Sequence, residues 1–183
     1  IYGCDSLVIL DLSVVEKFDT TIYDTICSSD VYIYQGRVID ETGLYTFALK
    51  SKDDCDSIVN LDIVVYEPLF VSIEDESLSA CADDENLVIH FGFDENKSVP
   101  VDFSIVFDSL ASRCGFENQE NLKLADFGDS FTIALPENCR PNSYTATLIF
   151  KDTTGVCGDL SIPVLFDVYY SASILQPKFD NLI

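Results

Sequence analysis

The sequence predicts an all-β, disulfide-stapled fold made of tandem β-sandwich domains, and three observations carry that prediction. Apolar residues alternate with polar ones in run after run, which is the period of a half-buried strand and not of a helix. A segment near the start of the chain returns 51 residues later, the mark of an array. Seven cysteines are spread along the chain with no Cys-x-x-Cys pair and a single histidine. That usage suits disulfides in an oxidising compartment better than a zinc site or a redox motif.

The repeat organises the first third. Between residues 3–18 and 54–69, eight of sixteen positions are identical: Cys4/Cys55, Asp5/Asp56, Ser6/Ser57, Val8/Val59, Leu10/Leu61, Asp11/Asp62, Val14/Val65 and Glu16/Glu67. In the first copy Val8, Leu10, Leu12 and Val14 alternate with Ile9, Asp11, Ser13 and Val15, and Val59, Leu61, Ile63 and Val65 keep the same phase in the second. Each copy therefore reads as the terminal strand of a sandwich. Residues 1–18 are expected to be the last strand of a truncated preceding repeat, and residues 19–67 one complete small unit, with neighbouring repeats of the same chain as its partners. Cys27 opens that unit and Cys55 closes it, which predicts a Cys27–Cys55 bond and leaves Cys4, in the place of Cys55, unpaired. Inside the unit Glu41-Thr42-Gly43-Leu44-Tyr45 has the acidic-x-Gly-x-Tyr form of a tyrosine corner. There the Tyr hydroxyl bonds back to nearby backbone and Gly permits the turn. On that ground the unit is immunoglobulin-like.

Residues 68–170 repeat the logic on a larger scale. Leu87, Ile89, Phe91 and Phe93 alternate with Val88, His90, Gly92 and Asp94. The same period runs through Val101–Phe107, Phe131–Leu135, Tyr144–Phe150 and Leu160–Val168. Five such strands close most naturally as a larger β-sandwich. Pro163 cannot donate to a ladder, which predicts an edge or a bulge there. One short helix is expected around 109–114, ended by Gly115. Ser79-Ala80-Cys81 plays the part of Thr25-Ile26-Cys27, and Lys151 through Cys157 that of Lys50 through Cys55. The frame therefore predicts Cys81–Cys157 and leaves Cys114 for Cys139. Residues 171–183 are expected to lead into a further module.

Charge narrows the functional classes. Thirty-two acidic side chains face ten basic ones, for a net charge of −22. That field repels a phosphate backbone and an anionic bilayer, so no nucleic-acid partner is expected. The apolar runs are too short to span a membrane, so this stretch is not expected to insert. With no methionine and no basic leader, Ile1 is expected to lie inside a gene, with any signal or anchor outside this stretch. His90 is the only histidine, and its phase places it on the outer face of a strand. Asp152-Thr153-Thr154-Gly155 reads as a turn and not as a protease motif. No catalytic or cofactor-binding residue is expected, and the chain is read as a non-enzyme. Calcium is the one cofactor weighed, because hard cations want clustered oxygens. The candidates are Asp53, Asp54 and Asp56; Glu74, Asp75 and Glu76; and Asp83, Asp84 and Glu85. Recognition of a host glycan or protein would use sandwich-end loops. Residues 110–128 form the longest irregular stretch and the candidate face, with Phe116 and Phe127 as its aromatics.

Several of these residues form a familiar set. Gly3-Cys4-Asp5-Ser6 before an alternating strand, then Ile26-Cys27, Gly36, Gly43-x-Tyr45 and Cys55-Asp56-Ser57, resembles the "GCDS" immunoglobulin-like repeats of Bacteroidetes exported proteins. Cys81-Ala82-Asp83-Asp84, Phe103 through Asp108, and Arg140-Pro141-Asn142-Ser143-Tyr144 resemble the larger β-sandwich module that follows such repeats. The departures are Asp54, where the repeat usually has Gly, and the extra Cys114 and Cys139. The resemblance implies secretion and display on a Gram-negative cell surface with adhesin-like roles. It carries no catalytic residue. The tandem repeat, the cysteines, the acidic charge and the lack of catalytic motifs fit a spacer or display stalk. An accessory domain of a secreted enzyme is the remote alternative.

Overall fold

The computed structural model describes residues 3, 7–12, 14, 17–50, 55–75, 77–94, 97–137 and 139–170. Among the described residues the chain is all-β with one short α-helix, and it divides into two compact units. One comprises Ile1–Ile26 and Val31–Val65, the other Cys27–Asp30 and Tyr66–Ile183.

In the first unit β1 (Phe18–Cys27), β5 (Asp56–Tyr66) and β4 (Gly43–Lys50) form a three-stranded sheet in the order β1-β5-β4. Between them β2 (Tyr32–Tyr34) and β3 (Arg37–Ile39) make a hairpin. Its two-residue turn, Gln35-Gly36, has positive φ at both positions, 49° and 78°, the geometry whose twist matches that of the strands it joins. Strand β5 realises the predicted alternation, with Val59, Leu61 and Ile63 buried. They pack with Ile26 and Ile39 beneath Tyr34, Phe47 and Leu49. The first copy of the repeat behaves differently. Its described residues 7–12 and 14 form no strand, and Val8 and Leu10 are more than four-fifths exposed. An alternating segment needs a hydrogen-bonding neighbour and a face to bury. The second copy has both in β4 and β1.

The larger unit is a sandwich of two sheets. Its strands are β6 (Val71–Ile73), β7 (Leu78–Cys81), β8 (Asn86–Phe93), β9 (Asp102–Phe107), β10 (Gln119–Lys123), β11 (Ser130–Ala134), β12 (Asn142–Phe150) and β13 (Leu160–Tyr169). One sheet runs β10-β9-β12-β13-β7 and the other β11-β8-β6. All neighbours pair antiparallel except β13 and β7, which are parallel. Inward residues of both sheets meet in one core, which centres on Phe103 and includes Phe91, Phe131, Phe150 and Phe166.

The expected helix is α1 (Ser109–Cys114). Asp108 caps it by accepting the Ala111 N–H at 2.7 Å, and Gly115 ends it at φ 110°. Pro163 lies on an interior strand without a bulge, because β13 sits between β12 and β7. Strand β7 covers only Phe166–Tyr169, so the side of β13 that lacks a donor at Pro163 faces no partner strand.

Two predicted disulfides are wrong. Cys27 bonds Cys157, with Cα atoms 4.9 Å apart, and neither Cys27–Cys55 nor Cys81–Cys157 forms. The reason is strand length. Ser28 N–H donates to the Tyr66 carbonyl at the far end of β5, whereas Cys55 precedes its first residue. Eleven residues at roughly 3.3 Å each separate the two ends by about 30 Å, far beyond the reach of a disulfide. Likewise the parallel register sets Cys81 beside Tyr169, the last residue of β13, while Cys157 precedes its first. Cys81 is a half-buried thiol, and Cys4, expected to be the orphan, lies outside the described residues. Cys114 and Cys139 form the second bond, with Cα atoms 5.0 Å apart.

Candidate binding surface

Of the acidic candidates for calcium, Asp53, Asp54 and Glu76 lie outside the described residues. The others are not gathered. Asp56 begins β5, Glu74 and Asp75 follow β6, and Asp83, Asp84 and Glu85 lie between β7 and β8. Among the described residues no group of three or more carboxylate, cysteine or histidine side chains converges to hold a metal ion. Two of these carboxylates serve the backbone instead. Asp84 accepts the Cys81 N–H at 2.6 Å, and Asp75 accepts the His90 N–H at 2.7 Å.

Asp75 also meets the His90 ring, Oδ1 to Nδ1, at 3.0 Å. That hydrogen bond holds the His90 pKa above its ordinary value against a slight desolvation, with help from Asp129 and Glu74. Burial opposes ionisation of Asp75, but the two bonds from His90 and its charge outweigh burial and lower its pKa. The ring lies on the exposed face of β8, as its phase predicts, where it ties the β6–β7 connection to the sheet. The pair is thus part of the framework of the sheet.

Asp152 likewise organises a loop. It accepts the Thr154 hydroxyl at 2.7 Å and the backbone N–H groups of Thr154, Cys157 and Gly158. These bonds, the Thr154 hydroxyl first, depress its pKa. The loop so formed presents Cys157 to Cys27.

The predicted binding face at 110–128 is more ordered than expected. It contains α1, β10 and a short 3-10 turn at Leu124–Asp126. Its aromatics pack inward: Phe116 is 4% exposed, stacks on Phe107 and meets Phe166 edge-on, and the half-buried Phe127 packs edge-on against Phe103 and Phe131. The Phe116 ring is not free to stack on a ligand. A hollow of about 480 Å³ lies between Val99–Val101 and Leu124–Gly128. Among the described residues its lining side chains are all apolar, so none of them orients a polar ligand.

A second hollow, of about 340 Å³, was not anticipated. It is lined by Leu110, Arg113, Cys114, Arg140, Asn142 and Tyr144. Its floor is a second tyrosine corner. Tyr144 hydroxyl donates to the Arg140 carbonyl four residues earlier, as Tyr45 hydroxyl donates to the Glu41 carbonyl at 2.8 Å. The signal was present in Arg140-Pro141-Asn142-Ser143-Tyr144, but Asn stands where the first corner has Gly, so the acidic-x-Gly-x-Tyr pattern passed it over. Tyr144 hydroxyl also lies 3.2 Å from Cys114 Sγ, within the second disulfide. Burial raises the Tyr144 pKa, although Arg140 pulls it the other way.

No protein-family model and no curated protein matches the chain. Among solved structures it is similar to the fibronectin type-III domain of human fibronectin type III domain containing protein 3, at 10% identity, covering 60% of this chain and 90% of that one, with a TM-score of 0.32. It is also similar to the human desmocollin-1 ectodomain, at 12% identity, covering 85% of this chain and 37% of that longer one, with a TM-score of 0.37. The fold class rests on the strand order and packing described above.

Proposed function

We propose that this chain is a non-catalytic segment of an exported bacterial cell-surface protein, a spacer that holds neighbouring modules away from the cell. The observation that carries the reading is the internal repeat. One copy is a paired strand with a buried face, and the other is an exposed segment whose alternation matches it. Such a segment is what an array of like units would present at a junction. The disulfides support an oxidising location, and the charge of −22 supports solubility and mutual repulsion on a crowded surface. His90 and Asp152, the two side chains closest to catalytic patterns, are both spent on holding loops. Similarity of the motifs to Bacteroidetes exported repeats supplies the bacterial setting.

The test is made in cells that produce the whole protein. Labelling with a membrane-impermeant reagent should modify this segment, and protection from it in intact cells would overturn the surface reading. Replacing residues 19–170 by an unrelated sandwich of similar span should preserve display of the neighbouring modules. Loss of their function with display intact would overturn the spacer role.

A further inference from the structure

We infer that the hollow over Tyr144 is an oxyanion-binding site, which takes the carboxylate or sulfate of a ligand about the size of one sugar. The inference goes beyond the spacer reading and does not depend on it. Only three arginines occur in the chain, and Arg113 and Arg140 line this one hollow. In a protein of net charge −22, no acidic side chain among the described residues lines it. Asp108, whose charge reaches the Tyr144 hydroxyl, is bonded to the backbone as the cap of α1.

Their pairing is built, not incidental. Arg113 directly precedes Cys114 and Arg140 directly follows Cys139, so the Cys114–Cys139 bond, with Cα atoms 5.0 Å apart, clamps the two backbones together. Tyr144 holds the Arg140 carbonyl, and α1 fixes Arg113 in its last turn. Guanidinium groups present planar forks that match carboxylate and sulfate oxygens two at a time. Asn142 adds an amide, and Leu110 and the Tyr144 ring add apolar wall. A volume of about 340 Å³ suits one sugar-sized group. Preorganisation by the disulfide lowers the ordering cost of two long side chains.

The test is an amide-resolved NMR titration of the whole chain at low salt with glucuronate, glucose 6-sulfate and glucose. Saturable shifts confined to residues 108–115 and 139–144 are expected with an acidic sugar and not with glucose. A response to glucuronate alone assigns the carboxylate, and to the sulfate alone assigns the sulfate. Arg113→Gln and Arg140→Gln should each weaken binding about tenfold or more, the worth of a charge-assisted contact. Arg37→Gln, whose guanidinium sits over the Tyr45 ring in the other unit, should leave binding unchanged. Absence of saturable shifts with both acidic sugars, equal shifts with glucose, or equal weakening by Arg37→Gln would overturn the site. In a folded Cys114→Ser, Cys139→Ser variant binding should also weaken, and unchanged affinity there would overturn the clamp.

Discussion

Phe103 is the residue on which the larger sandwich depends most, and its removal can be worked through. Its side chain is fully buried. Four rings surround it, with centroids at 5.7 Å for Phe91, 5.7 Å for Phe127, 5.2 Å for Phe131 and 5.6 Å for Phe150. Those neighbours come from both sheets and a connecting loop, so no single element can move in to fill the space. Phe→Ala in a core costs about 3–5 kcal/mol, more where the site cannot collapse, and each lost aromatic pair adds to the area term. Phe103→Ala should therefore lose about 4–5 kcal/mol. Phe70 is the control, since it is 49% exposed. Phe70→Ala should cost about 1 kcal/mol or less, half the worth of fully burying the ring. Urea unfolding should be followed through the dispersed amide signals of β9 and β12, which report this unit alone. A loss below about 2 kcal/mol for Phe103→Ala, or equal losses for the two variants, would refute the packing argument.

Peptide mapping without reductant should recover Cys27 joined to Cys157 and Cys114 joined to Cys139, and a Cys27–Cys55 peptide would contradict the strand geometry. With its cysteines 130 positions apart in sequence, the first bond is worth about 5 kcal/mol on a chain-entropy account, so Cys157→Ser should lower the urea midpoint of the larger unit markedly. The two tyrosine corners make the same bond at different depths. Tyr144→Phe, with a nearly buried hydroxyl, should cost about 1–3 kcal/mol, and Tyr45→Phe about 0.5–1 kcal/mol, read from amide exchange in each unit. His90 should titrate above an ordinary histidine, and Asp75→Asn should return it toward the ordinary value by NMR. Because its folded pKa is raised, the stability it contributes is complete below the unfolded histidine pKa and is lost as pH rises through the folded one. Asp75, with a lowered pKa, contributes above the unfolded carboxylate range and loses that as pH falls. A stability optimum on the acid side of neutrality should therefore flatten in Asp75→Asn, and a His90 titration unmoved by that substitution would contradict the pairing.

What could be read in advance was governed by local pattern. Strands β8, β9, β11, β12 and β13 carry period-2 alternation, and each is present with the expected residues inward except Val101, which precedes β9 and is exposed. Helix α1 was legible from its stop at Gly115, and the first corner from Gly43 and Tyr45. Strand β10 was not. Gln119-Glu120-Asn121-Leu122-Lys123 has no apolar alternation and exists because the edge of β9 offers it hydrogen bonds. Strands β6 and β7 are too short to display a period. Aromatic residues in 110–128 were visible, but whether they faced ligand or core was not, since that depends on what α1 packs against.

By itself, then, the sequence determined the class of the fold, the repeat, the inward faces of its long strands and the acidic surface. Each of these follows from residues near one another in the chain. Only the tertiary structure decided that Cys27 meets Cys157, because a strand of ten or eleven residues carries its two ends about 30 Å apart and register alone says which end a loop reaches. The same closure set Arg113 beside Arg140. Neither residue announces a site alone, and the pair arises from a disulfide whose partners lie 25 residues apart in sequence and 5.0 Å apart in space.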